Sequence, residues 1–497
     1  MIRKQDIARP EKKYVKRISN NDTMRKFYLI ILSMALLLSC RQEQPDTYID
    51  LMVHPNGRYL MKKDGSPFFW LGDTAWNLFD KSTKAEARKY LTARARQGYT
   101  VIQASLLFDN YGTRVPNQEG NLAFKDINTL EPNDAYFDNM VEIVDIADSL
   151  GLYIGLLPMW GDNVTSCYNY ETIIFHTEEQ MYEYGRYIGN RLKDKKNVIY
   201  ILGGDRPAAG IGSDGEPFDH ISLYDAQARG IAEGICGEED YTCCLMTYHP
   251  SGWRTSSTWF HDKPWLDFDM QQNGHGYADA IWRNIEKDYE LQPHKPVIDG
   301  ESTYDEHYID FKPELGVTTD YHVRRSFYHE VFSGACGHTY GTTGVWQFYR
   351  PNLDVPHELE CYSWERSLGR PSGYQLIYGK NLILSRPFFS RIPDNSFLYE
   401  QFDKAERITA TRDIDRSYAF IYSESGRAIR LNLTAIAKGD KVKAWWYDPR
   451  NGDSHLIGLI EKCESYTFTP LTAGAGNDWI LVLDDPKAGY PAPGVVE

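Results

Sequence analysis

Residues 198–205 read VIYILGGD, and residues 296–301 read PVIDGE. Each stretch is a short apolar run that ends in a carboxylate, Asp205 in the first and Glu301 in the second. An unbroken apolar run is typical of a parallel strand that is covered on both faces. The two stretches therefore predict buried strands that carry an acid at the carboxyl end.

Similar apolar runs recur along the chain, with helix-like segments between them. The runs predict eight strands, at 68–76, 99–107, 152–160, 198–205, 244–250, 266–275, 296–301 and 337–346. The segments between them predict helices at 83–97, 134–150, 177–193, 223–235, 278–289 and 320–333, whereas 251–264 shows no helix. No GxGxxG motif or P-loop follows the first strand, so a nucleotide-binding open sheet is disfavoured. The alternation predicts an α/β fold, a (β/α)₈ TIM barrel over residues 50–386.

The texture of the chain changes after residue 386. A proline-bearing connection leads into short alternating strands over residues 397–486, which are broken by Asp, Asn and Gly turns. Such spacing is typical of a small antiparallel domain. We predict a C-terminal β-sandwich accessory domain there.

The first forty residues have the features of a targeting segment. Residues 24–40 read MRKFYLIILSMALLLSC, with a basic start and an apolar run over 27–39 that is too short for a bilayer, which needs about 20 residues. The segment resembles a bacterial lipoprotein signal, which implies cleavage before Cys40 and lipidation of that residue; an ordinary cleaved signal is the alternative. We expect an exported protein, held in the bacterial cell envelope by the lipid on Cys40 alone.

Composition narrows the class of partner. The net charge is −15 and no Lys/Arg-rich block follows the targeting segment, so nucleic acid is not expected as a partner. HExxH and CxxC motifs are absent from the sequence, so we predict no metal site, and we predict no cofactor. The 35 Tyr and 12 Trp residues suit stacking on sugar rings, although most such rings fill the core.

The two acids suggest a reaction. Active sites of barrels of this kind lie at the carboxyl ends of the strands, where Asp205 and Glu301 would face each other. Glycoside hydrolysis needs two carboxyl groups, one as proton donor and one as nucleophile or base. Each acid alone could instead form a structural ion pair or cap a loop. Further candidates for substrate binding are the third acid Asp73, the polar residues Gln103, His249, Gln272, Asn273 and His275, and the stacking candidates Trp160, Tyr248, Trp253 and Trp346.

Several motifs resemble one known family. FFWLGDTAWNLF (68–79), VIQASLL (101–107), YILGGD (200–205) and VIDGE (297–301) are similar to the apiosidase-like catalytic domain of glycoside hydrolase family 140, over about residues 50–385. The position of the acids also resembles the retaining enzymes of glycoside hydrolase clan A. The resemblance implies that Asp205 is the acid/base and Glu301 the nucleophile. One departure is that most of clan A has Glu, usually after Asn, where this chain has Asp205 after Gly204.

These features lead to one expected function and one alternative. The resemblance implies a glycosidase that acts on plant cell-wall pectin, with the side chains of rhamnogalacturonan II as expected substrate. AWWYDPRNGD (444–453) resembles a collagen-binding-type domain often appended to such barrels. The alternative is therefore a non-catalytic surface lipoprotein that binds glycan or extracellular matrix such as collagen.

Overall fold

The structure is a computed structural model that describes residues 49–165, 172–275, 281–355, 362–400 and 406–496. Residues 47–497 form one compact unit. Cys40 and the targeting segment lie outside the described residues, so the lipid anchor stays a prediction. Among the helices in the described part of the chain, none has the length and apolar character needed to cross a bilayer.

All eight predicted barrel strands are present, each somewhat shorter than predicted. They are β1 (Trp70–Thr74), β2 (Val101–Ser105), β3 (Tyr153–Leu157), β4 (Val198–Gly203), β5 (Met246–His249), β6 (Asp269–Gln272), β7 (Val297–Glu301) and β8 (Gly337–Tyr340). They pair in parallel in the order β5-β4-β3-β2-β1-β8-β7-β6, and the short strand Arg254–Thr255 adds to β6 in antiparallel fashion.

The sheet closes almost completely between β5 and β6. The side chain of Thr247 donates to the carbonyl of Phe268 at 2.6 Å, and the N–H of Asp267 donates to the carbonyl of Met246 at 2.9 Å. The predicted (β/α)₈ barrel is thereby confirmed.

Helices cover the outside of the barrel. They are α1 (Lys84–Arg96), α2 (Asp134–Asp148), α3 (Glu178–Leu192), α4 (Ile221–Cys236), α5 (Ile281–Tyr289), α6 (Asp320–Phe332) and α7 (Pro371–Leu384), with one-turn helices at Leu78–Lys81, Ser257–Phe260, Thr343–Trp346 and Trp364–Ser367. Capping boxes at Thr83 and Thr177 start α1 and α3, because each side chain accepts an otherwise unpaired N–H of the first turn. Helix α7, which follows β8, was not predicted from the sequence, and the first residues of the helix predicted at 278–289 lie outside the described residues.

The alternation of side chains along each strand decides which residues face the barrel interior. Gly72 of β1 faces inward, since a Cβ there would lie 2.8 Å from the hydroxyl of Thr339 on β8. Gly155 of β3 also faces inward, toward Gln103 and Ile201. Asp73, which follows Gly72, therefore points outward to the helix layer.

The C-terminal domain is all β, as predicted, but it begins at residue 391, earlier than the predicted 397. Its strands are β9 (Arg391–Pro393), β10 (Ile408–Asp413), β11 (Tyr418–Ser423), β12 (Ile429–Leu431), β13 (Lys441–Tyr447), β14 (Ser454–Glu461), β15 (Tyr466–Phe468) and β16 (Trp479–Asp484). Six of them form a sheet in the order β9-β10-β11-β16-β13-β14, and β12 pairs with β15. Small sheets elsewhere comprise Leu51–Val53, Leu60–Lys62 and Pro67–Phe68, the pair Phe124–Asp126 and Glu131–Pro132, and the pair Ala209–Ile211 and Pro217–Asp219.

Helix α6 joins the barrel to this domain through buried charges. Arg324 binds Asp478 through two nitrogens, at 2.9 and 2.8 Å, and the Nε of Arg325 lies 2.7 Å from Glu424. All four side chains are almost fully buried. Breaking such a pair leaves an uncompensated buried charge, so the two domains depend on each other for stability.

Candidate active site

Two glycines bring Asp205 to the mouth of the barrel. Gly203 and Gly204 have φ values of 81° and 129°, and a Cβ on them would lie 2.5 Å from the ring of Tyr248 and 2.8 Å from the ring of Trp160. Only glycine fits such backbone without strain. The chain turns there, and 30% of the Asp205 side chain remains accessible.

A β-bulge brings Glu301 to the same mouth. Gln271 pairs with Asp299 and Gln272 with Glu301, so Gly300 is left without a partner on β6. A bulge of this kind re-aims the side chain that follows it. Asp299 points away from the mouth, and its Oδ1 accepts the N–H of Glu301 at 2.9 Å. The acid that ends PVIDGE is therefore directed inward, and the acid before it supports the turn.

His275 supplies a positive charge to Glu301. Its Nε2 lies 3.0 Å from Oε1 of Glu301, and its Nδ1 lies 3.1 Å from the carbonyl oxygen of Ser302. Both neighbours are acceptors, so both ring nitrogens carry a proton and the ring is an imidazolium. Burial alone would lower the pKa of His275, but the hydrogen bond and charge of Glu301 outweigh it and raise that pKa above its ordinary value.

His249 lies between the two acids. Its Nδ1 accepts the backbone N–H of Asp205 at 3.2 Å, and its Nε2 lies 3.2 Å from Oε2 of Glu301, at an angle outside that of a hydrogen bond. Oε2 accepts no hydrogen bond from the residues the structure describes. One oxygen of Glu301 is thus held by His275, and the other is left to react.

Tyr304 is a site residue that the sequence did not point out. Its hydroxyl accepts the indole N–H of Trp76 at 3.0 Å, and burial together with the charge of the nearby Glu301 raises its pKa. Because Trp76 can only donate, the tyrosine proton is free to point at the carboxylate. The only sequence feature that could have indicated Tyr304 as a site residue is its position three residues after Glu301.

The pKa values of the two acids move in opposite directions. Burial would raise the pKa of Glu301, but the imidazole rings of His249 and His275 beside its two oxygens hold that pKa well below its ordinary value. Burial raises the pKa of Asp205, and the charge of Glu301 adds to this increase against the opposing charge of Arg206. At one pH, therefore, Glu301 is ionised while Asp205 can keep a proton.

Arg206 fixes the Asp205 side chain. Its Nη1 lies 2.5 Å from Oδ2 of Asp205, while its Nε and Nη2 bind the two oxygens of Asp162 at 2.5 and 2.9 Å. The guanidinium and Asp162 are buried. These contacts orient Asp205, and the guanidinium of Arg206 pairs with both Asp205 and Asp162.

Aromatic rings form one wall of the mouth. Ring centroids are 5.0 Å apart for Trp76 and Trp160, 4.7 Å for Phe108 and Trp160, and 5.9 Å for Phe108 and Trp346. Trp160 also lies 5.9 Å from the ring of His249. The structure thus brings the predicted Trp160 and Trp346 together, and it adds Trp76 and Phe108, which the sequence analysis missed.

The remaining predicted polar residues divide into two groups. Gln272 lies near enough to Asp205 to lower its pKa, so it belongs to the site together with His249 and His275. Gln103 is buried inside the barrel, where its Nε2 donates to the carbonyl of Gly300 at 2.6 Å. It supports the bulge below Glu301 and does not line the mouth, which corrects its predicted role.

Three further predictions also need correction. Asp73 faces α1, where its Oδ2 is bound by Arg94 at 2.6 Å and by a tyrosine hydroxyl at 2.5 Å, so it is a structural acid. Asn273 donates to Asp299 behind the sheet at 2.7 Å. Tyr248 is fully buried, and its hydroxyl donates to the carbonyl of Arg206 at 2.7 Å. Asp73 and Tyr248 lie on outward strand faces, and Asn273, just after the end of β6, points to the same outer side.

Comparison with known proteins agrees with this geometry. Residues 54–390 match the family described as "Apiosidase-like, catalytic domain", and residues 392–484 match "Putative collagen-binding domain of a collagenase". No curated protein matches the chain significantly.

Solved structures show the same relationship. A protein titled "Glycoside hydrolase" is 32% identical, with a TM-score of 0.77 over 89% of this chain and 98% of its own. A glycoside hydrolase family 5 protein from Bacteroides vulgatus ATCC 8482 is 31% identical, with a TM-score of 0.78 over 89% of this chain and 96% of its own. The chain therefore belongs to the apiosidase-like catalytic domain family, and its barrel is a glycoside hydrolase domain whose substrate is a carbohydrate.

Proposed function

We propose that this chain is a retaining glycosidase of apiosidase specificity, which removes a sugar from pectin side chains such as those of rhamnogalacturonan II. The observation that carries the proposal is the pair of carboxyl groups, Asp205 and Glu301, whose pKa values are shifted in opposite directions. Opposite shifts let one acid attack while the other donates a proton.

In the first step Oε2 of Glu301 attacks the anomeric carbon, and the bond from that carbon to the leaving oxygen breaks. Asp205 gives its proton to that oxygen, so the leaving group departs as a neutral alcohol. In the second step Asp205 takes a proton from water, and the water oxygen bonds to the anomeric carbon. The Glu301 carboxylate leaves, which restores both groups.

The histidines have separate roles in this proposal. His275 binds Oε1 of Glu301 and orients the carboxylate, so Oε2 is the oxygen that is left to attack. His249 lies between the two acids, where it accepts the backbone N–H of Asp205 and lies 3.2 Å from Oε2 of Glu301. Such fixed hydrogen bonds position reacting atoms before substrate arrives, which is the main source of rate in sites of this type.

The surroundings of the pair favour a neutral sugar at the bond that is cleaved. Arg206, the guanidinium in contact with Asp205, already binds two carboxylates. Trp76, Trp160 and Phe108 pack against one another beside His249, so this side of the site is apolar. Apiose is a neutral branched sugar, so these features and the family membership support apiosidase specificity.

We further propose that the protein is exported and attached to the cell envelope through Cys40. The disulfide between Cys236 and Cys243 supports export, because such bonds persist in oxidising compartments. It joins the end of α4 to the turn that follows.

For the C-terminal domain we propose a structural role. In the stretch that resembles a collagen-binding domain, Trp446 is buried within the domain and Tyr447 against α7 of the barrel, where its hydroxyl donates to the carbonyl of Tyr378 at 2.9 Å, so these rings have little surface to offer a partner. The buried ion pairs of Arg324 with Asp478 and of Arg325 with Glu424 link the domain to the barrel, which supports a structural role.

The experiment is a screen of rhamnogalacturonan II oligosaccharides, with products identified by mass spectrometry and their anomeric configuration by NMR. We expect release of apiose with retention. Glu301→Gln should lower turnover about 10⁴-fold or more on every substrate, because the attacking charge is lost. Asp205→Asn should lower cleavage of natural glycosides about 10²- to 10⁴-fold, yet spare the first step on an aryl glycoside with an acidic phenol.

Asp214→Asn is the matched control, because this exposed acid lies on the hairpin after β4 and should tolerate the same change. Inversion at the anomeric carbon, or equal loss in both variants whatever the leaving group, would show that the two roles are wrongly assigned. Binding of oligosaccharide without turnover by the unmodified protein would favour the alternative of a non-catalytic glycan-binding lipoprotein.

A further inference from the structure

Trp253 is an exposed aromatic residue at the mouth of the barrel. Its side chain is 53% exposed, although tryptophan is usually largely buried. Its backbone N–H donates to the carbonyl of Gln272 at 2.7 Å, which fixes it beside the end of β6. One edge of the indole lies over Gly274, where an added Cβ would be 3.3 Å from the ring. The ring is thus held from one side and open on the other.

The backbone at Trp253 adds to this argument. Its φ is 63°, a left-handed conformation that favours glycine or asparagine. A tryptophan here lowers stability because its backbone is strained and because half of its apolar ring surface is exposed to water. Residues retained against stability concentrate at ligand-binding positions.

Arg254, the next residue, faces the same mouth. It is paired directly with Gln272 across the two strands, and directly paired residues point to one side of a sheet. Thr255 and Gln271, the neighbouring pair, both bind Asp288 behind the sheet, which confirms the alternation. Arg254 is exposed and makes no ion pair within the described residues, and its guanidinium carbon lies 5.9 Å from the centroid of the Trp259 ring.

The position of these residues relative to Asp205 indicates which part of a substrate they would meet. Gln272, the strand partner of Arg254, lies near enough to Asp205 to lower the pKa of that carboxyl group. Under the proposed function Asp205 protonates the leaving oxygen, so its side of the mouth holds the leaving group.

We propose that Trp253 and Arg254 form a binding site for an acidic sugar, a uronate, in the chain that leaves; this inference rests on the proposed function. The indole stacks on the apolar face of the uronate ring, and the guanidinium binds its carboxylate. The enzyme then recognises both a neutral sugar at the cleaved bond and an anionic chain beyond it.

The test compares substrates that differ only in the leaving group. Apiosyl fluoride has no sugar there, whereas a rhamnogalacturonan II oligosaccharide has uronates. Trp253→Ala should lower kcat/KM on the oligosaccharide about 10- to 30-fold, the loss usual for an aromatic anchor, and change the fluoride rate less than about twofold. Trp253→Phe should recover most of the loss. The exposed Tyr374 of α7 serves as the control, as Tyr374→Ala.

Arg254→Gln separates the charge from the stacking. It should lower kcat/KM on the oligosaccharide about three- to fivefold, and not on the same oligosaccharide with methyl-esterified carboxyl groups. Arg88→Gln, an exposed arginine of α1, should change neither rate. Equal losses on fluoride and oligosaccharide, or no loss on either, would overturn the proposal.

A second readout keeps the site testable if hydrolysis is not found. Saturation-transfer NMR and tryptophan fluorescence measure binding of the same oligosaccharide without turnover. Binding that is weaker in Trp253→Ala would support the site while the proposed function fails. Equal binding in both proteins, or none in the unmodified protein, would overturn the site itself.

Discussion

Replacing His275 with glutamine is the sharpest test of how the site controls Glu301. The imidazolium of His275 lies 3.0 Å from Oε1, and both side chains are less than a tenth exposed. Glutamine is neutral but can still donate a hydrogen bond to the carboxylate. The variant His275→Gln therefore removes mainly the charge.

The size of the effect follows from the distance. At 3.0 Å and an effective dielectric constant of about 20, two unit charges attract by about 5.5 kcal/mol. Since one pKa unit equals about 1.36 kcal/mol, the upper limit is a shift of about 4 units in the pKa of Glu301. The hydrogen bond kept by glutamine and water entering the space reduce this, and we expect an increase of about 2 units.

The pH profile of kcat/KM reports the shift, because it follows the pKa values of the free enzyme. Glu301 must be ionised to attack, and its pKa is lowered in the folded protein, so activity persists as the pH falls below the ordinary value of about 4.3. In His275→Gln the pKa rises, so the acid limb moves to higher pH and activity is lost earlier on acidification. Circular dichroism at each pH separates this from unfolding.

His307→Gln is the matched control. Its ring centroid lies 4.6 Å from that of His275, but it is not among the main groups that shift the pKa of Glu301. Its acid limb should coincide with that of the unmodified enzyme. An unshifted acid limb in His275→Gln, with or without lower kcat, would refute the reasoning, because His275 would then be neutral and Glu301 would owe its charge to other groups.

Two further predictions concern the ends of the chain. Cys40→Ala should move the protein from the membrane fraction to the soluble fraction of the cell envelope without changing its kcat/KM, and equal retention of both forms would contradict the lipid anchor. Truncation after Arg386 should lower the melting temperature or the solubility and leave substrate choice almost unchanged. Arg324 and Arg325 would each lose a buried partner, which lowers the free energy of unfolding by about 3–5 kcal/mol per pair. A stable truncated barrel with normal turnover but no polymer binding would assign the domain a binding role.

The barrel could be predicted because its strands and helices have local sequence patterns. Each strand is an apolar run and each helix has its own period, and both properties are visible within a few residues. Asp205 and Glu301 stood out because a charge at the end of an apolar run conflicts with its surroundings. Helix α7 was missed because its sequence, from Pro371, is apolar or small on most sides and shows little periodicity.

The side-chain directions at the strand ends could not be predicted in the same way. Asp73 and Glu301 both lie near the carboxyl end of a strand, yet Asp73 points to the helices and Glu301 into the mouth. The difference depends on one residue of register, since each step along a strand reverses the direction. The bulge at Gly300 supplies that step, and it depends on pairing with β6, which is distant in sequence.

Both acids reach the mouth through backbone that regular strands do not allow. Asp205 follows two glycines and itself has a φ of 48°, and Glu301 follows a bulge. Departures of this kind lower stability and persist only where surrounding contacts fix them. Arg206 fixes the first and Asp299 the second, and neither of these residues needs to touch substrate. Loss of either should therefore reduce activity through the position of an acid, so the search for site residues in related sequences should include the partners of the acids as well as the acids.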